Sequence, residues 1–347
     1  MQAIPTFFGI TILSYMLMSA SGNPVQVLTF KPNIKPEEIQ RVARMLGVTD
    51  PWPVQYLRWL LGDDWMRWDA DGDGNADGSF LLALTEADGS PLPPGTRRGV
   101  LRGDFGNSFL FKRPVIDMLT ERLPATLELS VTQLVIGGSI GVLLGILSAV
   151  RRGSIIDNVT RVLSVMFNAV PTVWLGLILL LVFGSYLKLL PLGDRCGMTL
   201  EPSCPPIWQR VQYMVLPVLV LASGFVAGYS RIMRASMLDI IGQDYVRTAR
   251  AKGLRANSIW LLHAAKNALI PIATTLGPAI TGLLTGAVLT ETIFNYPGVG
   301  KLLTDAAIGR DYPMVMASVI YGAFATILGY LLSDILYSMI DPRIRFK

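Results

Sequence analysis

Asp244-Tyr-Val-Arg-Thr-Ala-Arg-Ala-Lys-Gly253, continuing through His263 and Asn267 to Pro271, is a polar, strongly basic island between two long apolar segments, 213–229 and 268–293. A chain with that alternation crosses a bilayer and shows the island on one side of it. Four more stretches have the roughly 20 mainly apolar residues that a membrane helix needs: residues 3–20, 127–150, 162–187 and 315–340. The expected fold is all-α and polytopic, with six transmembrane helices.

Composition agrees. Of 347 residues 51% are hydrophobic and 16% charged, and the mean hydropathy is +0.47; a soluble domain carries about 25% charged residues. The net charge of +5 comes from basic residues clustered at segment ends, which is orientation charge rather than a nucleic-acid face. One histidine and no His/Cys cluster exclude a histidine metal centre and a Ser-His-Asp triad.

The short loops set the orientation. Arg151, Arg152, Arg161, Arg231, Arg234, Arg247, Arg250, Lys252, Arg255, Lys266, Arg343, Arg345 and Lys347 fall on one side, against Lys188, Arg195, Arg210, Lys301 and Arg310 on the other. The basic excess places the island and both termini in the cytoplasm and residues of about 21–126 outside. The first apolar stretch lacks the basic start of a cleaved leader and reads as a retained span. Gly137, Gly141 and Gly145, and again Gly282 and Gly286, are spaced four apart, as for close helix packing. Pro171, Pro217, Pro271 and Pro278 are expected to kink their helices.

Within the island, Asp244–Lys252 reads as a short helix with Tyr245, Thr248 and Ala249 on one face and Arg247, Arg250 and Lys252 on the polar one. Gly253 ends it in a left-handed turn, and a second amphipathic helix starts near Asn257 with Ile259, Leu262 and Ala265 at helical spacing. Helix, turn and helix make a rigid knob that can fit a cleft in another protein.

Thr248-Ala249-x-x-x-Gly253 resembles the EAA loop of ABC-transporter permeases, with Thr248 for the first alanine and Arg247 for the glutamate. The fuller run to Pro271 is similar to the oligopeptide/dipeptide importer branch, in its B-type inner-membrane subunit. That branch lacks the proline shortly after the loop's apolar position; here Lys266 stands there. Thr290-Glu-Thr-Ile-Phe-Asn-Tyr-Pro-Gly-Val-Gly300, Asp311-Tyr-Pro, Asp341-Pro-Arg-Ile-Arg345, Gly103-Asp-Phe-Gly-Asn-Ser108 and Arg122-Leu-Pro-Ala-Thr-Leu-Glu-Leu-Ser130 resemble the same branch in order along the chain. The departures are an N-terminus without basic residues and an insertion at about 63–100.

The resemblance implies a type I importer permease, a transport subunit rather than an enzyme. Its expected organisation is a first transmembrane helix (1–22), an extracytoplasmic segment (23–126) with that insertion, and a five-helix core (127–347) with a cytoplasmic coupling loop at 231–267. The implied partners are a second permease, two cytoplasmic ATPases, an extracytoplasmic solute-binding protein and the lipid bilayer of the inner membrane. Ala249 and Gly253 carry over as contact and turn positions; Arg247 and Arg250 are expected to make charge contacts to the ATPase, with Thr248, His263 and Asn267 in the same element. For His263 a hydrogen bond that packs the element is expected rather than pH sensing. The expected cargo is a peptide, with nickel chelates, glutathione and oligosaccharides open within the branch, and a stand-alone secondary transporter as the reading from another class. Pro297-Gly-Val-Gly-Lys301 is no P-loop, because Asn295 and Leu302 occupy the positions that need Gly and Ser/Thr.

The outer segment carries three more features. Residues 36–46 and 51–61 read as short amphipathic helices led by proline. Asp69, Asp71, Asp73, Asn75 and Asp77, with Gly74 at position six, match most of a calcium loop, but Phe80 stands where a bidentate glutamate would close it. A structural calcium site at 69–78 and an acidic surface turn both remain open. Cys196 and Cys204, eight apart in an outer loop, favour a disulfide over free thiols. Glu291 and Asp334, near span ends, are expected to snorkel or bond between helices rather than relay protons.

Overall fold

The computed structural model describes residues 3–20, 52–62, 98–197 and 204–340. Among them the chain is helical, with no strand. Hydrocarbon offers backbone amides no partner, so a spanning segment satisfies them within itself as a helix. In chain order the elements are α1 (Ala3–Ala20), α2 (Trp52–Leu61), α3 (Val115–Val150), α4 (Ile155–Ala169), α5 (Thr172–Leu179, continued by a π-turn, Leu180–Tyr186) and α6 (Val211–Ile241). Then come α7 (Asp244–Ala251), the short helical pieces Ala256–Ser258, Ile259–Ala264, Ala265–Ala268 and Ile270–Thr274, and α8 (Leu276–Thr285), α9 (Val288–Ile293), α10 (Val299–Ile308) and α11 (Tyr312–Ile340).

Four helical stretches are long and apolar enough to cross a bilayer: Val115–Val150, Val211–Ile241, Leu276–Ile293 and Tyr312–Ser333. A fifth is reached only if Ile155–Ala169 and Thr172–Tyr186 count as one. The helices α3 and α6, of 36 and 31 residues, overrun the apolar stretches 127–150 and 213–229. Hydropathy marks only the part inside hydrocarbon, whereas a helix once formed adds a hydrogen bond with each further residue.

The stretch expected as one continuous helix at 162–187 is instead broken in two. The chain bends by 99° between α4 and α5, where Val170 and Pro171 turn extended (ψ 124° and 131°). Proline disfavours helix at the residue before it, so Val170 leaves the helix and the chain breaks there.

The chain divides into two compact units, Met1–Glu121 with Asp305–Ala323, and Arg122–Thr304 with Phe324–Lys347. In the first, Thr11 of α1 shares a 2.9 Å hydrogen bond with Tyr56 of α2, and Tyr15 stacks edge-on to Tyr56. Buried Asp311 accepts hydrogen bonds from Ser108 and from the amides of Phe109 (3.0 Å) and Leu110 (3.2 Å). Two motifs about 200 residues apart in sequence are thereby joined by one carboxylate.

In the second unit α3 and α6 run parallel along a glycine seam. A Cβ on Gly137 would lie 2.9 Å from the Ala222 carbonyl, one on Gly141 2.9 Å from Cβ of Tyr229, and one on Gly145 2.6 Å from Cβ of Met233. Backbones this close gain dispersion contacts that a side chain would forbid. The second glycine pair does not pack this way: Gly282 faces open space, and Gly286 closes α8 at φ 86°. Four-residue spacing alone cannot tell a seam from a helix end.

Helix α4 turns its polar side inward. Asp157, Thr160 and Ser164 are buried, while Ile155, Val159, Val162, Leu163, Val165 and Met166 are exposed. The Ser164 hydroxyl meets that of Ser230 on α6 at 2.8 Å. This inverted amphipathicity suits a helix whose surroundings are hydrocarbon rather than water.

Candidate functional site

The island folds as a helix, a glycine turn and a second helical run. Gly253 adopts φ 75°, and its amide donates to the Arg250 carbonyl at 2.9 Å while that of Leu254 reaches back to Ala249. Only glycine takes this left-handed conformation without strain. The inner face of α7 is Val246 and Ala249, packed on Ile259 with Ile240 and Trp260 around them. Tyr245 and Thr248, expected on the apolar face with Ala249, are exposed instead. The stripe is shifted by one residue, with Val246 rather than Tyr245 packed against Ile259.

Two side-chain links tie α7 to the second helical run. Asn267 donates its amide to the Tyr245 hydroxyl at 2.9 Å. The Arg250 guanidinium lies 4.7 Å from the centre of the Trp260 ring, a cation–π geometry. Arg247 pairs with Asp244 at 3.5 Å, and both side chains are largely exposed; such pairs contribute little. His263, Lys252, Arg255 and Lys266 are exposed, as are the apolar side chains of Leu254, Leu261 and Leu262. Exposed leucines among exposed cations form a surface suited to a protein partner.

The second helical run is fastened to the spans. Ala264, Ala265, Ala268 and Ile272 pack with Met233 and Met237 of α6 and Ile146 and Ala149 of α3. Close by in the chain, buried Asp157 accepts from Arg234 Nε and Nη2 (2.6 and 2.9 Å), from Ser148 (2.5 Å) and from the Gly153 amide (2.9 Å). One carboxylate thus joins the end of α3, the start of α4 and the late part of α6. Arg234, counted among the orientation charges, is committed to this pair.

At the opposite ends of α3 and α6 a second carboxylate does the same. Glu128 accepts from Arg195 (2.6 and 2.9 Å), Arg210 (2.5 and 2.7 Å) and the Tyr296 hydroxyl (3.0 Å). Burial opposes the charge on Arg195, but the hydrogen bonds and charge of Glu128 outweigh it and raise the guanidinium above its ordinary value. Burial, with Glu128 beside it, pushes the Tyr296 phenol up, so it stays a donor. Glu291 is fully buried rather than snorkelling. It accepts from Thr126 (3.0 Å) and from the amides of Lys301 (3.0 Å) and Ala287 (3.3 Å), and Thr126 in turn accepts from the Val299 amide at 2.8 Å.

Sequence patterns alone do not single out Glu128, Asp157, Tyr296 and Thr126 as site residues. For Glu128 and Asp157 a signal exists, since each is a carboxylate at the edge of an apolar stretch, where an unpaired charge is costly. Cys196 and Cys204 lie with Cα atoms 5.2 Å apart, inside the range a disulfide spans. The loop Asp69, Asp71, Asp73, Asn75 and Asp77 and the side chain of Asp334 lie outside the described residues.

The described residues thus form a polytopic helical protein that carries a packed, exposed basic knob. The chain belongs to the family of binding-protein-dependent transport system inner membrane components, whose model matches residues 141–346. It is 35% identical to the oligopeptide transport system permease protein AppB of Bacillus subtilis, across 100% of this chain and 97% of the relative. It is 34% identical to the dipeptide transport system permease protein DppB of Escherichia coli K12, across 99% and 96%. The di/tripeptide transport system permease protein DppB of Pseudomonas aeruginosa is 35% identical over the same shares. In fold it is similar to a solved inward-facing structure of the MetNI methionine ABC transporter, with a TM-score of 0.51 and 16% identity over 65% of this chain and 97% of that one. The chain is therefore an ABC importer permease, a multi-pass transport subunit.

Proposed function

We propose that this permease carries di- and oligopeptides inward across the cytoplasmic membrane. It would work with a second permease, two cytoplasmic ATPases and an extracytoplasmic solute-binding protein. The observation that carries the mechanism is the knob of α7, Gly253 and the run to Ala268, fastened to α3 and α6. Docked in an ATPase cleft, it passes closure of the ATPases to the two parallel spans. Support for the cargo comes from relatives named for peptide transport that match end to end.

The same geometry leads to a topology. With α3 and α6 parallel, we propose that α4 and α5 together return the chain in one broken crossing and that α1 is another, which would make six crossings with the basic island on the cytoplasmic side. The segment at about 63–100 is an extracytoplasmic insertion, with calcium at 69–78 as its proposed stiffener. A Cys196–Cys204 bridge would close the outer loop that supplies Arg195.

The test is reconstitution with the ATPases and binding protein, comparing wild type with Gly253→Val. A Cβ at Gly253 meets nothing within 4 Å, so the change acts through backbone strain, about 1–2 kcal/mol. Binding-protein-stimulated ATP hydrolysis should fall about tenfold; unchanged stimulation would mean the knob is not the transmission element. Uptake of labelled dipeptide, resisted by nickel chelate and oligosaccharide as competitors, tests the cargo.

A further inference from the structure

Helix α7 has eight residues, too few to be stable alone, and its buried face is only Val246 and Ala249 on Ile259. At about 100° per residue, Tyr245 and Arg250 flank that stripe by about 70° on either side, at opposite ends of the helix. Each carries one of the two links, Tyr245 to Asn267 at 2.9 Å and Arg250 to the Trp260 ring at 4.7 Å. A single narrow stripe would let a short helix roll about its axis. Two anchors, one at each end and on opposite flanks, remove that freedom.

We propose that Tyr245–Asn267 and Arg250–Trp260 are internal braces that make α7 one rigid body with the helical run behind it. This rests on the reading of α7 as the coupling element. It reassigns Arg250 from a partner contact to a positioning residue, and gives Asn267 of the same element a positioning role. Their targets, Trp260 and the Asn267 segment, adjoin Ala264, Ala265 and Ala268, which pack on Met233 and Met237 of α6. A displacement applied to a braced α7 reaches the spans. Applied to an unbraced one, it is absorbed by rotation of α7.

The experiment is hydrogen–deuterium exchange of the α7 amides in the assembled transporter in lipid nanodiscs. Tyr245→Phe with Trp260→Leu removes both braces without deleting the Val246–Ala249 stripe. Exchange should quicken about tenfold in the double variant and less in each single one. Trp260→Phe, which keeps a ring beneath the guanidinium, should stay near wild type. Binding-protein stimulation of ATP hydrolysis should decline in the same order as exchange quickens. Wild-type exchange in the double variant, or equal exchange in Trp260→Phe and Trp260→Leu, overturns the braces. Docking is read separately, by cross-linking Arg247→Cys to the ATPase. No cross-link in an otherwise wild-type chain would sink the coupling reading, while the exchange rates would still decide the braces.

Discussion

At the scale of single residues, Glu128 holds two guanidiniums and a phenol in a setting where its own side chain is 16% exposed and Arg210 only 7%. Removing it leaves two largely buried cations facing each other. Glu128→Ala should therefore destabilise the chain by about 3 kcal/mol or more, read as a lowered thermal midpoint in detergent, and Glu128→Gln by less, because an amide oxygen still accepts. Thr126→Val is milder. It takes a donor from Glu291 and an acceptor from the Val299 amide, a loss of about 1–3 kcal/mol. An unchanged midpoint for Glu128→Ala would mean that the cluster does not hold the far ends of α3 and α6 together. These partners were hidden from the sequence because each lies 67 to 168 residues from Glu128, and no local pattern ranks which arginine will meet which carboxylate.

At the scale of elements, the α3–α6 seam separates two kinds of glycine that look alike in sequence. Gly145→Ala puts a methyl group 2.6 Å from Cβ of Met233 and 2.7 Å from the Ser230 carbonyl. The helices must part, at a cost of about 1–3 kcal/mol. Gly228→Ala on α6 meets nothing within 4 Å and gains helix propensity of up to about 1 kcal/mol. Thermal unfolding of the two variants should move in opposite directions, and a drop of equal size in both would refute the seam. The periodicity Gly137, Gly141, Gly145 was legible, and so was the helix–turn–helix of the island with Gly253 at its turn. The break at Val170 was only half legible. Pro171 announced a kink, but whether a proline bends a helix by a few tens of degrees or turns it by 99° depends on what packs around it. The inward polarity of α4 needed the structure too, since hydropathy averages over a helix and loses which side is which.

At the scale of the whole molecule, the proposed orientation, with the basic island in the cytoplasm, can be checked directly. A cysteine at Lys252 should react with a membrane-impermeant thiol reagent only when the cytoplasmic side is opened, and one at Lys188 from outside. Reaction of both from the same side would reverse the topology. Apolar stretches and basic loops are set by the sequence by itself, because the bilayer reads length and charge along the chain and asks nothing of distant residues. The family was legible for a related reason: the island's motifs are contiguous, and their turn and helix signals are local. Only the tertiary structure decided that α3 and α6 run parallel and are tied at both ends by Glu128 and Asp157. It alone showed that Val246 rather than Tyr245 faces inward, and that Arg250 is held by Trp260. These outcomes depend on which surfaces meet in three dimensions, and a charge or a glycine carries no mark of its partner until the backbone has brought the two within a few ångströms.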